Sequence, residues 1–95
     1  MEAQVGHIVI SLAGRDKGRP FYVLKTEDNF VYLADGKLRK IETPKKKRRK
    51  HVAYAGLPGE RILTKLSSGD KVLNSEIRRA LAEFENENGE ESLQA

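Results

Sequence analysis

Short apolar runs separated by turn residues fill the first half of the chain. Residues 6–12 (GHIVISL) are rich in β-branched side chains and end at Ala13-Gly14, which predicts a strand. Pro20–Thr26 (PFYVLKT) predicts a second strand, with proline tolerated at its first position. A polar turn at Glu27-Asp28-Asn29 leads into a third, Phe30–Ala34 (FVYLA). Asp35-Gly36 is a strong hairpin signal, because a type I′ turn needs positive φ at both central residues. It predicts that residues 37–41 (KLRKI) return as a fourth strand, and residues 51–55 (HVAYA) supply a fifth. Five short strands at close spacing predict a small, strongly curved barrel.

The pattern changes after the breaker Gly56-Leu57-Pro58-Gly59. Ile62, Leu63 and Leu66 have helical spacing, in a segment that Ser67-Ser68-Gly69 ends. Asn74 is placed to cap a second helix, with Glu76 in its first turn and Ile77, Leu81 and Phe84 along one apolar face. Beyond Phe84 the segment ENENGEESLQA is polar and acidic, which predicts disorder.

Charge sharpens this picture. The net charge is only +4, yet residues 37–51 hold nine of the eighteen Lys and Arg residues and a single acid, Glu42. After Arg79 the charge reverses, with glutamates at 83, 85, 87, 90 and 91 and no cation. A basic middle points to a polyanionic partner. The six consecutive cations Lys45 to Lys50 lie between two predicted strands, so residues 44–51 are expected to form a long exposed loop tethered at both ends. A second basic loop joins the first two strands, where Gly14 and Gly18 flank or adjoin Arg15, Lys17 and Arg19. Glycine turns leave backbone N–H groups that can face a phosphate, and the neighbouring cations supply charge.

The chain has no cysteine, which removes disulfides, thiolate metal sites and thiol nucleophiles. His7 and His51 are far apart and have no thiolate companions, so no metal is expected. No nucleophile–base arrangement and no Walker-type loop is present. The C-terminal glutamates lie in a segment too poor in apolar residues to hold a catalytic pair in place. Neither an enzymatic activity nor a cofactor is expected. The apolar run at residues 8–12 is too short for a signal core or a membrane span, and the chain reads as a cytoplasmic monomer with no membrane partner.

Residues 6–18 (GHIVISLAGRDKG), followed by the apolar Phe21-Tyr22-Val23, resemble a KOW motif. The later Ala34-Asp35-Gly36-Lys37-Leu38-Arg39-Lys40 and Pro44-Lys45-Lys46-Lys47-Arg48-Arg49-Lys50-His51 look like the small bacterial KOW-domain RNA-binding proteins, which are similar to the KOW-type large-subunit ribosomal proteins of archaea and eukaryotes. The resemblance spans residues 5–54. It implies a mainly β fold: an SH3-like five-stranded barrel over residues 1–56, with a short helical extension over 57–84 and the acidic tail over 85–95. It also implies binding to RNA, expected to be rRNA on a ribosomal subunit. Gly18 would be the motif glycine, with Arg15, Lys17 and Arg19 presented around it. Lys45, Lys46, Lys47, Arg48, Arg49 and Lys50 would form the second contact, with Arg39 and Lys40 between the two.

The aromatic residues are expected to pack mainly in the core, with Tyr54 as the one candidate for base stacking. The alternative reading is a protein-interaction module of the SH3 or Tudor type, or a transcription-elongation-type KOW domain that contacts polymerase. That reading predicts an exposed aromatic groove and weak dependence on salt.

Overall fold

The computed structural model describes residues 2–94, and the side chains of residues 2–87. Five strands form one antiparallel sheet: β1 (Ile8–Ser11), β2 (Pro20–Thr26), β3 (Phe30–Ala34), β4 (Lys45–Arg48) and β5 (Val52–Gly56). Their spatial order is β4-β3-β2-β1-β5. Two helices follow, α1 (Glu60–Ser68) and α2 (Asn74–Gln94). The protein is therefore a small, mainly β domain with a helical C-terminal extension.

The sheet is strongly curled. β4 and β5 lie on its opposite edges, which a flat sheet would hold about 19 Å apart. Only a single 3-10 turn, Arg49–His51, joins them. The step from Arg48 to Val52 can span at most about 14 Å. The sheet must therefore bend until its edges approach, although no strand ladder joins β4 to β5 and the barrel remains open among the described residues.

Both faces of this curl are packed. On the inner face Val9, Phe21, Val23, Val31 and Leu33 are buried together with Ala3, and Val52 packs against them. On the outer face Ile8, Tyr22 and Ala34 are covered by Ile62 of α1 and by Ile77, Ala80 and Leu81 of α2. Strand alternation explains the division. Phe21 and Val23 point inward while Tyr22 between them points out, and the registers Tyr22–Ala34 and Val23–Leu33 carry the same alternation into β3. β2 and β3 read as near-continuous apolar runs because helices cover part of their second face.

Four sequence expectations need correction. Residues 37–41 do not return as a strand. Asp35-Gly36 does turn the chain, with Gly36 at φ 77°, but the Asp35 side chain then accepts hydrogen bonds from the N–H groups of Lys37 and Arg39, both at 2.8 Å. That bonding winds residues 35–42 into a loop. Instead, β4 is drawn from the basic run, and Lys45–Arg48 pair with Leu33–Phe30. The expected loop at 44–51 is thus a strand and a 3-10 turn.

The third correction concerns Asn74, which is not a cap. Its side-chain oxygen accepts from the Ile41 N–H at 2.9 Å, and its amide donates to the Glu42 carboxylate at 3.0 Å. The capping group is Glu76, which reaches back to the Leu73 N–H at 2.9 Å. Glu76 also accepts from Lys65 of α1 at 2.7 Å and from Arg61 at 3.1 Å, so the two helices are joined at this carboxylate. The hydrogen bond from Lys65, reinforced by the Leu73 N–H and Arg61, holds the carboxyl down to about 2.

The backbone of α2 runs on to Gln94, past the expected helix end at Phe84 and through most of the segment expected to be disordered. Adding a residue to a helix already anchored by packing fixes little more than that residue, so a polar sequence can extend it. Ala95 and the side chains of residues 88–94 lie outside the described residues.

Two substitutions test this packing. A Cβ at Gly36 would lie 2.3 Å from the Asn74 carbonyl oxygen, at a backbone conformation that disfavours side chains. Gly36→Ala is expected to destabilise the fold by at least about 2 kcal/mol, read by thermal unfolding. The Tyr22 hydroxyl is buried with no hydrogen-bond partner among the described residues, and burial pushes it up to about 12. Tyr22→Phe removes that orphaned group and is expected to leave stability unchanged or raised, within about 1 kcal/mol.

Candidate nucleic-acid interface

The β1–β2 loop is closed by its own backbone. The N–H of Gly18 donates to Ser11 O at 2.8 Å, that of Lys17 to Gly14 O at 3.2 Å, and that of Arg19 to Asp16 O at 3.0 Å. Gly14 and Gly18 lie at φ 85° and 88°, which this winding requires. The expectation that N–H groups of this turn face a phosphate is therefore corrected for Lys17, Gly18 and Arg19.

Asp16 faces into the protein and organises the loop. It is 8% exposed, and its Oδ1 accepts from Lys47 Nζ at 2.8 Å and from the Ser11 hydroxyl at 2.7 Å. Its Oδ2 accepts from Lys45 Nζ at 2.6 Å. Lys47 is 9% exposed, and its ammonium also donates to Ser11 Oγ at 2.7 Å and to Ala13 O at 2.6 Å. Three acceptors thus meet the three donors of the ammonium, the condition under which a buried lysine is tolerated. Burial alone would raise the Asp16 carboxyl, but hydrogen bonds from Lys45, Lys47 and Ser11 outweigh it and hold the group well below the usual carboxylate range.

This network divides the basic run. Lys45 and Lys47 lie on the inner side of β4, opposite Leu33 and Val31, and are bound to Asp16. Arg49 folds back, donating through Nε to the carbonyls of Glu27 and Asp28 at 2.9 and 3.0 Å and through Nη1 to Ala3 O at 2.6 Å. Lys46, Arg48 and Lys50 are exposed. Lys47 and Arg49 are thus held by acceptors within the protein, and Lys45 is half-buried on Asp16. The alternation was hidden in the sequence because every position of the run is a cation. The signal that could have found it is the acid Asp16 among the loop cations, which needs a buried partner.

Four of the candidates meet at one end of the sheet. Arg15 and Arg19 of the β1–β2 loop, Arg39 of the 35–42 loop and Lys45 line a shallow cleft of about 200 Å³, with Phe21 and Leu38 beside them. Leu38 is 67% exposed, so this loop tip offers an apolar contact among cations. Two acids border the cleft, and both are occupied: Asp16 by lysines and Asp35 by backbone N–H groups. Arg15, Lys17, Arg19, Arg39 and Lys40 form no salt bridge among the described residues. Lys17 and Lys40 are exposed on the same two loops outside the cleft lining. Helix α2 fixes the second loop, since Asn74 bonds Ile41 and Arg78 donates to Gly36 O at 2.6 Å.

The aromatic expectations divide as well. Phe21 and Tyr22 are core residues, but Phe30 and Tyr32 are only half-buried, on the outer face. Tyr54 packs edge-on against His7, ring centroids 4.8 Å apart. Among the described residues no three acidic or histidine side chains group as a metal site, and no helix is long and apolar enough to cross a membrane. No protein-family model matches the chain, and no curated protein matches it.

Asp16→Asn is expected to destabilise the protein by about 3 kcal/mol, because it leaves the buried Lys47 ammonium without its anion, and Lys47→Ala by about 2 kcal/mol, because Asp16 keeps Lys45 but loses one of its two cations. Lys46→Ala, one position along, is expected to change stability by less than about 0.5 kcal/mol. Chemical denaturation of the three variants distinguishes them. The Asp16 carboxyl is depressed on folding, so its contribution is complete above the unfolded value near 3.8 and is lost as the pH falls below it. Stability of the parent is expected to fall between about pH 5 and pH 2, and Asp16→Asn to flatten that decline.

Proposed function

We propose that this protein is an RNA-binding domain of the KOW type, an SH3-like barrel that grips structured RNA, with rRNA on a ribosomal subunit as its target. The observation that carries this reading is the meeting of the β1–β2 loop and the 35–42 loop around one cleft, with Arg15, Arg19 and Arg39 presented there without a salt bridge among the described residues. The strand order β4-β3-β2-β1-β5, with a 3-10 turn between β4 and β5, is consistent with an SH3-like barrel left open at one seam. The proposed roles are electrostatic. Arginines suit phosphate because their planar donor fork engages two oxygens at once. The β1–β2 loop is held by Asp16 and the other by α2, so the cations are presented in set directions, which favours a folded RNA over any polyanion.

Salt dependence tests the mechanism. Engagement of roughly five phosphates gives a log–log slope of about −4. Arg15→Ala with Arg19→Ala is expected to make the slope shallower by about 1.5 without loss of folding. The measurement is a titration of a structured rRNA fragment and a scrambled control across several salt concentrations. A flat salt dependence in the parent would instead favour a protein-docking module. A steep slope with equal affinity for both RNAs would remove the claim of a specific target.

A further inference from the structure

The outer face of the sheet is covered unequally. At one end Tyr22 and Ala34 lie beneath α1 and α2. At the other end Phe30 and Tyr32, two positions apart on β3, remain half-exposed, and among the described residues neither joins the cluster that α1 and α2 cover. Cations surround these rings. Lys46 Nζ is 4.3 Å from the Phe30 ring centre and 5.9 Å from that of Tyr32. Arg48 lies 5.4 Å from Phe30, and Lys25 lies 5.2 Å from Tyr32. The register sets this arrangement, since Lys46 is opposite Tyr32, Arg48 opposite Phe30, and Lys25 of β2 opposite Tyr32 on the other side. None of the three cations forms a salt bridge among the described residues. The neighbouring acid, Glu27, accepts the Tyr32 hydroxyl, which turns the ring's polar edge toward the β2–β3 turn and leaves its face to the cations.

We infer that this Phe30–Tyr32 face binds unpaired nucleobases of a single-stranded RNA segment, with Lys46, Arg48 and Lys25 taking the adjoining phosphates. The inference rests on the RNA reading above and adds a second surface with a different mode of recognition. Charge complementarity selects the occupant: two aromatic faces ringed by three cations, with Glu27 the neighbouring acid and no salt bridge to any of the three among the described residues, match a strand that alternates flat bases with phosphates. An apolar protein partner would have to strip water from all three cations without supplying anions. A paired helix does not present its base faces, so the surface discriminates single strands from duplex. The cation–π contacts hold the free rings in place but are weak at exposed sites, so a base can displace or sandwich the cations.

Titration of the full chain with a single-stranded RNA of about ten nucleotides and with a fully paired duplex of the same length tests the inference. The double variant Phe30→Leu, Tyr32→Leu is expected to bind the single strand about tenfold more weakly, with its salt slope and its duplex affinity unchanged. Lys46→Gln with Arg48→Gln is expected to flatten the slope on the single strand. Phe30→Trp introduces the chain's one tryptophan, and its fluorescence is expected to be quenched by the single strand and not by the duplex. Unchanged single-strand affinity in the folded leucine variant, together with an unquenched tryptophan, would overturn the inference while leaving the loop-based reading intact. Equal loss on strand and duplex would also overturn it. A parent chain that binds neither RNA would overturn both readings.

Discussion

A carboxylate buried against two lysines holds the ends of this small domain together. Asp16 belongs to the β1–β2 loop, Ser11 to the end of β1, and Lys45 and Lys47 to β4, the far edge of the sheet. In spatial order two strands separate β4 from β1, so a bond between them forms only if the sheet is curled. Hydrophobic packing inside the curl supplies the driving force, through Val9, Phe21, Val23, Val31 and Leu33. The ion network supplies direction, because its acceptors lie at one end and fix which way the Lys47 stem runs. Its ammonium is saturated by Ser11, Ala13 and Asp16, which is what allows a cation on the inner face of a core this small.

The same network determines which cations face solvent. With Lys45 and Lys47 committed to Asp16, strand alternation sends Lys46 and Arg48 to the opposite face, beside Phe30 and Tyr32. With Asp16 drawn inward, the loop winds so that Arg15, Lys17 and Arg19 are exposed. One buried acid therefore organises two basic surfaces, a cleft between loops and a flat face with half-exposed rings.

The helical extension is part of this arrangement. α1 and α2 cover Ile8, Tyr22 and Ala34, which an isolated five-stranded sheet would leave in water. The N-terminal turn of α2 also holds the 35–42 loop through Asn74 and Arg78, and Gly36 permits the close approach. Arg39 and Leu38 reach the cleft because a segment more than thirty residues later in the chain fixes their loop. Packing of the extension and presentation of the loop are one structural event.

Much of the framework was legible in the chain itself. β2 and β3 were readable to the residue, β1 and β5 within one or two positions, and both helices from their apolar spacing, because each signal is local: β-branched runs bounded by turns, or apolar steps of three and four. The charge of the β1–β2 loop was legible for the same reason. The fate of Lys45–Lys50 was not. A run of identical charges carries no alternation, so nothing local separates Lys47, which is buried, from Lys46, which is exposed. That choice depends on an acid 31 residues away and on a sheet curled enough to bring it close. The turn at Asp35-Gly36 was likewise real, but it opened a loop, wound by the Asp35 side chain and held in place by Asn74, 33 residues beyond Ile41. The sequence by itself determined four of the five strands, the two helices and the total charge. Tertiary structure decided which charges are spent inside and which remain for a partner, because the desolvation of an ion is settled by its neighbours in space and not by its neighbours in the chain.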